Sequence, residues 1–345
     1  MVYKVSVIIP TFNSENYIEN TINSVFNQTI GFENIELIIV DDCSKDSTRD
    51  ILKKYDKYPN IKCIFQEKNS GSPSNGRNVG IDNANAKYVM FLDNDDIYVE
   101  SICEVLYNTI NETNTDVVMC NHYNMPLTDY SSDFENDIDA SIEYLYTKKD
   151  YDVFLKNLMW DKIFKLDFLK THDIKCPVGY FREDIYFCTK VYLNTDEVPF
   201  LKNYYGYVYN ERYKDEDLSF SKNIKKDFLL NNIHSEYFSL DLLKSTNNQE
   251  IINYNWGKID LPLFIRWFII VDADYSSKKD ILKELWGLIV FSNFNGKISG
   301  VFWRFFYKFI VNKHFTITII FAKIIYIIYN TPVKNIYRKI LKIKQ

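Results

Sequence analysis

Three carboxylates stand close together at the end of an apolar run, in the segment Phe91-Leu92-Asp93-Asn94-Asp95-Asp96. Carboxylates clustered where a buried strand ends require a counter-charge. A hard divalent cation would supply it, because such ions are held by one or two carboxylates together with phosphate oxygens of a substrate. A solvated acidic turn is the alternative. Tyr98 argues against a calcium loop of the EF-hand type, which requires glycine at that position.

The surrounding segments predict how these carboxylates are positioned. Short β-branched runs alternate with stretches whose apolar residues recur at helical spacing. The predicted strands are 5–9, 35–40, 61–65 and 88–92, and the predicted helices are 18–26, 47 or 48 to about 58, and 77–86. Asn13 and Ser14 are capping candidates for the first helix. This succession predicts parallel strands, whose carboxyl ends share one sheet edge, so Asp41 and Asp42 should converge with the segment 91–96.

Five strings in the first hundred residues together resemble the family 2 glycosyltransferases of the GT-A fold. They are VSVIIPTFN, the pair QT at 28 and 29, IIVDDCSKDST, the stretch NSG…GRNVG from 69 to 80, and FLDNDD. Each is short, but their order and spacing make the match specific. The resemblance implies an α/β, Rossmann-like fold with a mostly parallel sheet flanked by helices, followed by a helical C-terminal region.

The resemblance also implies roles for individual residues. Those expected to bind the nucleotide-sugar donor are Pro10, Thr11, Phe12, Asn13, Asp42, Arg77, Asp93 and Asn94. Among them Asp42 would accept a hydrogen bond from uracil, and Arg77 would lie near the phosphates. Asp95, together with Asp93, would bind Mn²⁺ or Mg²⁺. A surface ion pair is the alternative for Arg77.

Two later strings extend the resemblance. Residues 160–164, WDKIF, are similar to a WNKLF-like segment of members that make bacterial surface polysaccharides, and 181–187, FREDIYF, look like the family's ED motif. In inverting members the aspartate of that motif is the general base, which implies this role for Asp184. Trp160, Lys162 and Glu183 are expected to contact the acceptor or support the site. An exposed acidic pair on a helix is the alternative for 183 and 184.

Charge divides the chain into two parts. The chain has no acidic residue beyond Glu284, where ten Lys and Arg stand, whereas the preceding part carries 31 basic against 46 acidic side chains. We predict a catalytic domain at 1–215 and a basic, amphipathic helical region at 216–345. The run 315–329 is shorter than the ~20 apolar residues of a spanning helix. An in-plane helix at an anionic membrane surface, or a contact with a second subunit, is therefore expected.

The resulting hypothesis is an inverting, metal-dependent, non-processive hexosyl- or N-acetylhexosaminyltransferase. Its donor would be a UDP-sugar, and its acceptor a glycan or lipid-linked glycan of capsule, lipooligosaccharide, teichoic acid or another surface polysaccharide. The alternatives are a sugar nucleotidyltransferase and a non-catalytic glycan-binding or membrane-scaffold relative. Nucleic acid is not an expected partner, because the first 284 residues are acidic. Without a CxxC pair or a leader-like start, we expect a cytoplasmic protein, or one on the inner face of the cell membrane.

Overall fold

The computed structural model describes residues 3–131, 141–211 and 225–330. The chain forms two compact units, Met1–Asp217 and Leu218–Gln345. The predicted boundary between 215 and 216 lies outside the described residues, as do the five cations from Lys334 onward. The roles assigned above to the two parts stay predictions.

The described part of the first unit holds one nine-stranded sheet and its helices. The strands are β1 (Val5–Thr11), β2 (Ile35–Asp41), β3 (Ile61–Phe65), β4 (Tyr88–Phe91), β5 (Ile97–Tyr98), β6 (Val117–Met125), β7 (Glu143–Tyr146), β8 (Lys162–Lys165) and β9 (Glu197–Asn210). The helices are α1 (Ile18–Phe26), α2 (Thr48–Lys53), α3 (Pro73–Asn83), α4 (Ile102–Thr113), α5 (Leu166–Thr171) and α6 (Glu183–Leu193).

The predicted parallel half of the sheet runs in the order β3-β2-β1-β4. All seven residues of β1 are buried, because helices cover both faces of this strand. Val7 and Ile9 belong to the core cluster that includes residues of α1 and α4, whereas Ile8 faces α3 at Gly80. A continuous apolar run is the expected signature of such a doubly covered strand.

The other half of the sheet is mixed. Strand β8 is antiparallel to both β4 and β6, β6 is parallel to β9, and both β5 and β7 are antiparallel to β9. The α/β fold of the GT-A type is confirmed, but the sheet is mixed rather than mostly parallel, because four of its eight described strand pairings are antiparallel. The return strand β8 approaches β4 from the opposite direction, which places the Trp160 segment beside the carboxyl edge of the parallel strands.

The observed helices lie near the positions that the sequence predicts, but some of their first and last residues differ from the predicted ones. Helix α2 ends at Lys53 rather than near Tyr58. The capping prediction was wrong, because Tyr17 precedes α1 and makes no side-chain cap. Asn13 instead adopts a φ of 49°, and its Oδ1 accepts a hydrogen bond from the N–H of Lys45 at 2.8 Å. Its side chain thus joins the loops that follow β1 and β2.

The second unit is helical where the structure describes it. Its helices are α7 (Lys226–Ser245), α8 (Gln249–Asn255), α9 (Leu261–Ile270), α10 (Tyr275–Ser292), α11 (Val301–Val311) and α12 (Phe315–Asn330), with a π-helical turn at Trp256–Asp260 between α8 and α9. Trp256 is buried and donates its indole N–H to Glu236 at 3.1 Å. None of the described helices has the length and apolar character needed to cross a membrane.

Candidate active site

The loops after β1, β2 and β4 meet at the carboxyl edge of the sheet. The N–H of Asp42 donates to the carbonyl of Thr11 at 2.9 Å, and the amide of Asn94 donates to Thr11 Oγ1 at 3.4 Å. Thr21 of α1 donates its hydroxyl to the carbonyl of Asp96 at 2.8 Å. The sequence therefore predicted correctly that the two acidic segments converge at one edge.

The loop after β1 combines a fixed backbone with one exposed ring. Thr11 is buried, and its hydroxyl hydrogen-bonds that of Ser14 at 2.8 Å. Asn94 also donates to Ser14 Oγ. Phe12, by contrast, is 43% exposed. An aromatic ring held out from an ordered loop is suited to contact with a flat nucleotide base.

The neighbouring carboxylates Asp41 and Asp42 have different partners. Asp41 is fully buried, and its Oδ2 pairs with Arg49 Nε at 2.5 Å. Asp42 accepts hydrogen bonds from the N–H and the hydroxyl of Ser70, at 2.8 Å and 2.9 Å. Asp42 thus connects the β2 loop to the 69–72 loop, whereas Asp41 fixes α2 to the sheet. Of the two, Asp42 is the one whose position suits ligand binding.

The three carboxylates in the turn after β4 differ in how deeply they are buried. Asp96 is buried and accepts hydrogen bonds from the Tyr207 hydroxyl at 2.6 Å and the Asn210 N–H at 2.7 Å. Burial raises the pKa of Asp96 well above its ordinary value, and the nearby charges of Asp95 and Asp93 raise it further. Asp96 anchors the turn to β9, while Asp93 and Asp95 remain partly exposed.

Asp93 and Asp95 fit the donor set of a divalent cation that shares its ligands with a substrate. Their charges lie close enough to perturb the titration of Asp96, so their turn concentrates negative charge. The described residues contain no group of three or more His, Cys, Asp or Glu side chains that could hold a metal without a substrate. Mg²⁺ is commonly bound by one or two carboxylates, with diphosphate oxygens of a substrate completing its coordination shell. Asp93 and Asp95 are therefore the residues that would hold such a cation together with a substrate.

Arg77 of α3 bridges the β4 turn and the start of α6. Its Nη1 lies 2.5 Å from Glu183 Oε1, and its Nη2 lies 2.6 Å from Asp93 Oδ1. The side chain of Arg77 is 5% exposed, so the alternative of a surface ion pair does not hold. Burial lowers the pKa of Arg77, but Asp93 and Glu183 outweigh it and raise the pKa above its ordinary value. The two partners of Arg77 in this bridge are distant in sequence: Asp93 lies 16 positions away and Glu183 lies 106 positions away.

Asp184 is the second residue of α6 and keeps its side chain partly exposed. Its Oδ1 accepts a hydrogen bond from the N–H of Ile185 at 2.8 Å. Burial and the nearby charge of Glu183 together raise the pKa of Asp184 to about 7, against the opposing charge of Arg77. A carboxylate with a pKa near the operating pH is suited to general base catalysis. The alternative of an exposed acidic pair does not hold, because Glu183 is buried.

Trp160 and Lys162 lie beneath the site. Trp160 is buried and stacks on Tyr207, with ring centroids 4.1 Å apart. Lys162 is fully buried and donates to Asp161 Oδ1 at 2.5 Å and to the carbonyl of Leu158 at 2.6 Å. These contacts favour a supporting role over direct contact with an acceptor.

Tyr207 is a site residue that the sequence offered only as one of a row of tyrosines, which could line an acceptor cleft or belong to an alternating strand. Its hydroxyl accepts from the N–H of Asp93 at 3.2 Å and donates to Asp96 at 2.6 Å. The sequence signal was the row Tyr204, Tyr205, Tyr207 and Tyr209. In that row Tyr204 and Tyr207 are buried and Tyr205 is 40% exposed, and the row lies in β9, whose burial does not strictly alternate.

Comparison with known proteins agrees with this geometry. Residues 6–166 match the family model "Glycosyl transferase family 2". This segment of the chain is therefore similar to family 2 glycosyltransferases. It is 30% identical over 218 residues to glycosyltransferase GlyA of Streptococcus pneumoniae, covering 59% of this chain and 30% of GlyA. It is 29% identical over 254 residues to the poly(ribitol-phosphate) beta-N-acetylglucosaminyltransferase TarS of Staphylococcus aureus, covering 73% of this chain and 43% of TarS.

A solved structure of residues 1–349 of S. aureus TarS in complex with UDP shares the fold. The TM-score is 0.64 at 23% identity, over 84% of this chain and 80% of that one. The same TarS fragment has also been solved with UDP-GlcNAc, at a TM-score of 0.59. The chain therefore spans less than half the length of GlyA and of full-length TarS, but most of the TarS fragment.

Proposed function

We propose that this chain is an inverting, metal-dependent, non-processive glycosyltransferase that transfers a hexosyl or N-acetylhexosaminyl group from a UDP-sugar to a glycan acceptor. The observation that carries the proposal is the buried bridge from Asp93 through Arg77 to Glu183. It places the start of α6, with Asp184, against the turn expected to hold the donor diphosphate. The bridge would thereby fix the position of the candidate base relative to the proposed donor site.

The donor site is assigned to the three loops at the carboxyl edge. UDP and UDP-GlcNAc are the ligands of the TarS fragment that shares this fold. In this chain Phe12 would contact the base, and Asp42 would accept a hydrogen bond from the uracil N–H. Asp93 and Asn94 border the same loops, and Pro10 supports the loop that begins at Thr11. The Arg77 guanidinium positions Asp93 and faces two carboxylates, which favours a positioning role over direct phosphate contact.

The reaction requires a proton acceptor and a stabilised leaving group. Asp184, when ionised, accepts the proton of the acceptor hydroxyl as its oxygen attacks the anomeric carbon. The bond from that carbon to the diphosphate oxygen breaks on the opposite face, which inverts the configuration. Mn²⁺ or Mg²⁺ held by Asp93 and Asp95 would stabilise the negative charge on the departing diphosphate. The raised pKa of Asp184 supports its assignment as the base.

The acceptor class is inferred from the relatives. TarS is described as acting on poly(ribitol-phosphate), and a further relative, 42% identical over 116 residues, is the minor teichoic acid biosynthesis protein GgaB of Bacillus subtilis. We therefore assign the acceptor to surface glycans of the teichoic acid kind. Addition of one sugar per encounter is proposed because Leu263 stands where members that polymerise and extrude a chain carry the glutamine of a QxxRW motif, although Arg266 and Trp267 are present.

The test is transfer from a panel of UDP-sugars to poly(ribitol-phosphate) and related glycans, with UDP release as the readout. We expect Asp184→Asn to lower kcat by about 10²–10⁴-fold, the usual contribution of a general base, while UDP still binds. Asp50→Asn, an exposed aspartate of α2, is the matched control and should retain activity. Near-normal transfer by Asp184→Asn would remove Asp184 as the base. UDP binding without turnover on any donor would favour the non-catalytic alternative.

A further inference from the structure

Helices α11 and α12 carry a set of exposed apolar side chains. The α11–α12 face consists of Val301, Phe305, Ile317, Ile320, Phe321, Ile324 and Ile327, each between 36% and 75% exposed. On α12 the exposed isoleucines recur every three or four residues, while Thr318, Ile319 and Ala322 on the opposite side are buried. A stripe at this spacing is one face of an amphipathic helix. Here the outward face, as well as the inward one, is apolar.

The stripe on α12 is continuous with the exposed part of α11. The rings of Phe305 and Phe321 lie with centroids 5.1 Å apart, and both are more than a third exposed. Beneath them Phe306 is buried and also contacts Phe321. The two helices thus form a packed pair with one shared apolar surface, rather than two unrelated exposed residues. Contiguous patches of this kind mark binding surfaces.

The charges that border this face have one sign. Arg304, Lys308 and Lys323 are exposed on the same two helices, and no acidic residue occurs in the sequence after Glu284. Lys278 of α10 is buried, and both burial and the nearby charge of Lys323 lower its pKa, against the opposing charge of Asp272. Cations gathered beside an apolar face are complementary to anionic lipid headgroups above acyl chains.

We propose that the α11–α12 face lies in the plane of an anionic lipid bilayer, with its isoleucines and phenylalanines in the interface and its cations at the headgroups. This goes beyond the proposed function, since it concerns the second unit alone. The described helices are not suited to span a bilayer. A second copy of the chain is less suited as the occupant, because a two-fold interface would bring two such cationic faces together.

The test is flotation of the full chain with vesicles of phosphatidylcholine alone and of phosphatidylcholine mixed with phosphatidylglycerol. We expect binding to the anionic vesicles and its loss at high salt. Replacing Ile320, Ile324 and Ile327 by Gln together should weaken binding by more than about tenfold, since apolar burial drives interfacial insertion. Val290→Gln, a similarly exposed change on α10, should leave it intact.

The charged border gives a second arm of the same test. Lys308→Gln and Lys323→Gln should each weaken binding to anionic vesicles about fivefold, the ratio that corresponds to about 1 kcal/mol per cation at an anionic surface. Lys57→Gln, an exposed lysine of the first unit, is the control. Circular dichroism should show that all variants remain helical, because the replaced side chains are exposed.

Two outcomes would overturn the proposal. One is a full chain that stays with the unbound fraction in the presence of anionic vesicles. The other is binding that survives the triple isoleucine change. If the full chain is instead a dimer in light scattering, and the isoleucine variant is a monomer, the occupant of the face is a second copy. Transfer to a water-soluble acceptor should be unaffected by these variants, so failure of this inference and failure of the proposed function are distinguishable.

Discussion

Neighbouring acidic residues in this chain differ because their surroundings differ. Asp41 pairs with Arg49 beneath the sheet edge, while Asp42 reaches the 69–72 loop. Glu183 is held by Arg77, while Asp184 keeps a partly exposed side chain and a pKa of about 7. In both pairs one carboxylate fixes the structure and its neighbour remains placed for a ligand. The sequence identified the pairs but could not assign every partner, because those partners come from other elements.

Titration of Asp184 should be visible in the rate. The carboxylate must be ionised to accept a proton, and its pKa is raised to about 7. We therefore expect kcat/KM to rise with pH through an apparent pKa near 7 and to level off above it. The pH–rate profile of UDP release in the full chain measures this. A profile that is flat from pH 5 to 8, with donor binding unchanged, would contradict the assignment.

The same titration should affect stability with a defined sign. Because the pKa of Asp184 is above its ordinary value of 3.8, the folded chain holds a proton that the unfolded chain has lost between about pH 4 and 7. Stability from this group therefore falls as pH rises through that range. The Asp184→Asn variant has no carboxyl group at this position to ionise, so it does not lose this stability as the pH rises. Its melting midpoint should therefore exceed the wild-type value above pH 7. The two midpoints should converge near pH 4, and thermal unfolding at both pH values checks this.

Removal of the Arg77 guanidinium should lower the free energy of unfolding. Arg77→Met would leave Asp93 and Glu183 as unpaired, largely buried carboxylates, and breaking a buried pair costs about 3–5 kcal/mol. Denaturant unfolding of Arg77→Met, Glu183→Gln and the double variant gives the coupling. We expect the double variant to lose less stability than the two single changes added together. Additive losses would show that the bridge carries no coupling.

A positioning role for Arg77 also predicts a kinetic effect. Arg77→Lys keeps one charge but lacks the two-pronged geometry that reaches both carboxylates. It should fold, bind UDP, and show a lower kcat, because α6 is less firmly held against the β4 turn. If Arg77→Lys changes UDP affinity much more than kcat, direct contact between this side chain and the donor phosphates is the better account.

Among the elements, the sequence identified those formed by local pattern and missed those formed by long-range pairing. Strands β1, β2 and β4 are continuous apolar runs because both of their faces are covered. For β9 the sequence offered only an alternating strand at Tyr204 to Tyr209 as one of two alternatives, and the pairing of β9 with β6 shifts register around Asn121 and His122. Such irregular pairing breaks the alternation from which strands are predicted. The Arg77 bridge was hidden for a similar reason, since its two partners lie on different elements.

Close packing of α3 on β1 gives a prediction at the level of elements. A Cβ added at Gly76 would lie 2.9 Å from Pro10 Cβ and 3.3 Å from Pro10 Cα. Gly76→Ala must therefore displace the loop that begins at Thr11. Overpacking costs about 1–3 kcal/mol, partly offset by a gain in helix propensity of about 1 kcal/mol. We expect weaker UDP binding, measured by calorimetry, at a small net change in stability.

The matched control for this change lies in α10. At Gly287 an added Cβ would meet the terminal hydroxyl of Tyr237 at 3.1 Å, a group that can move. Gly287→Ala should leave UDP binding unchanged and be neutral or stabilising. Unchanged UDP affinity in Gly76→Ala would show that the backbone position of Pro10 is not important for the donor site.

At the scale of the whole molecule, charge and structure divide the chain at different points. In the sequence, the boundary between the two compact units falls between 217 and 218. The last acidic residue of the chain is Glu284, which lies within α10. The second unit therefore includes helices that carry acidic residues, α7, α8 and α10, as well as the basic pair α11 and α12. The sequence predicted a helical second part from its periodicity, whereas the charge composition changes at a different place from the boundary between the compact units.

Ligands of the first unit should stabilise the full chain in a metal-dependent way. A ligand that binds the folded state alone adds about 2.7 kcal/mol when it is present at about 100 times its Kd. We expect UDP with Mn²⁺ to raise the melting midpoint more than UDP alone, because Asp93 and Asp95 would repel the diphosphate and a divalent cation would offset that repulsion. Asp95→Ala should abolish the additional rise, and Asp56→Ala, an exposed change near the end of α2, should preserve it. An equal shift with and without Mn²⁺ in the wild-type chain would show that the turn after β4 binds the donor without a metal, and the charge of the leaving group would then have to be stabilised by the cationic side chains of the chain itself.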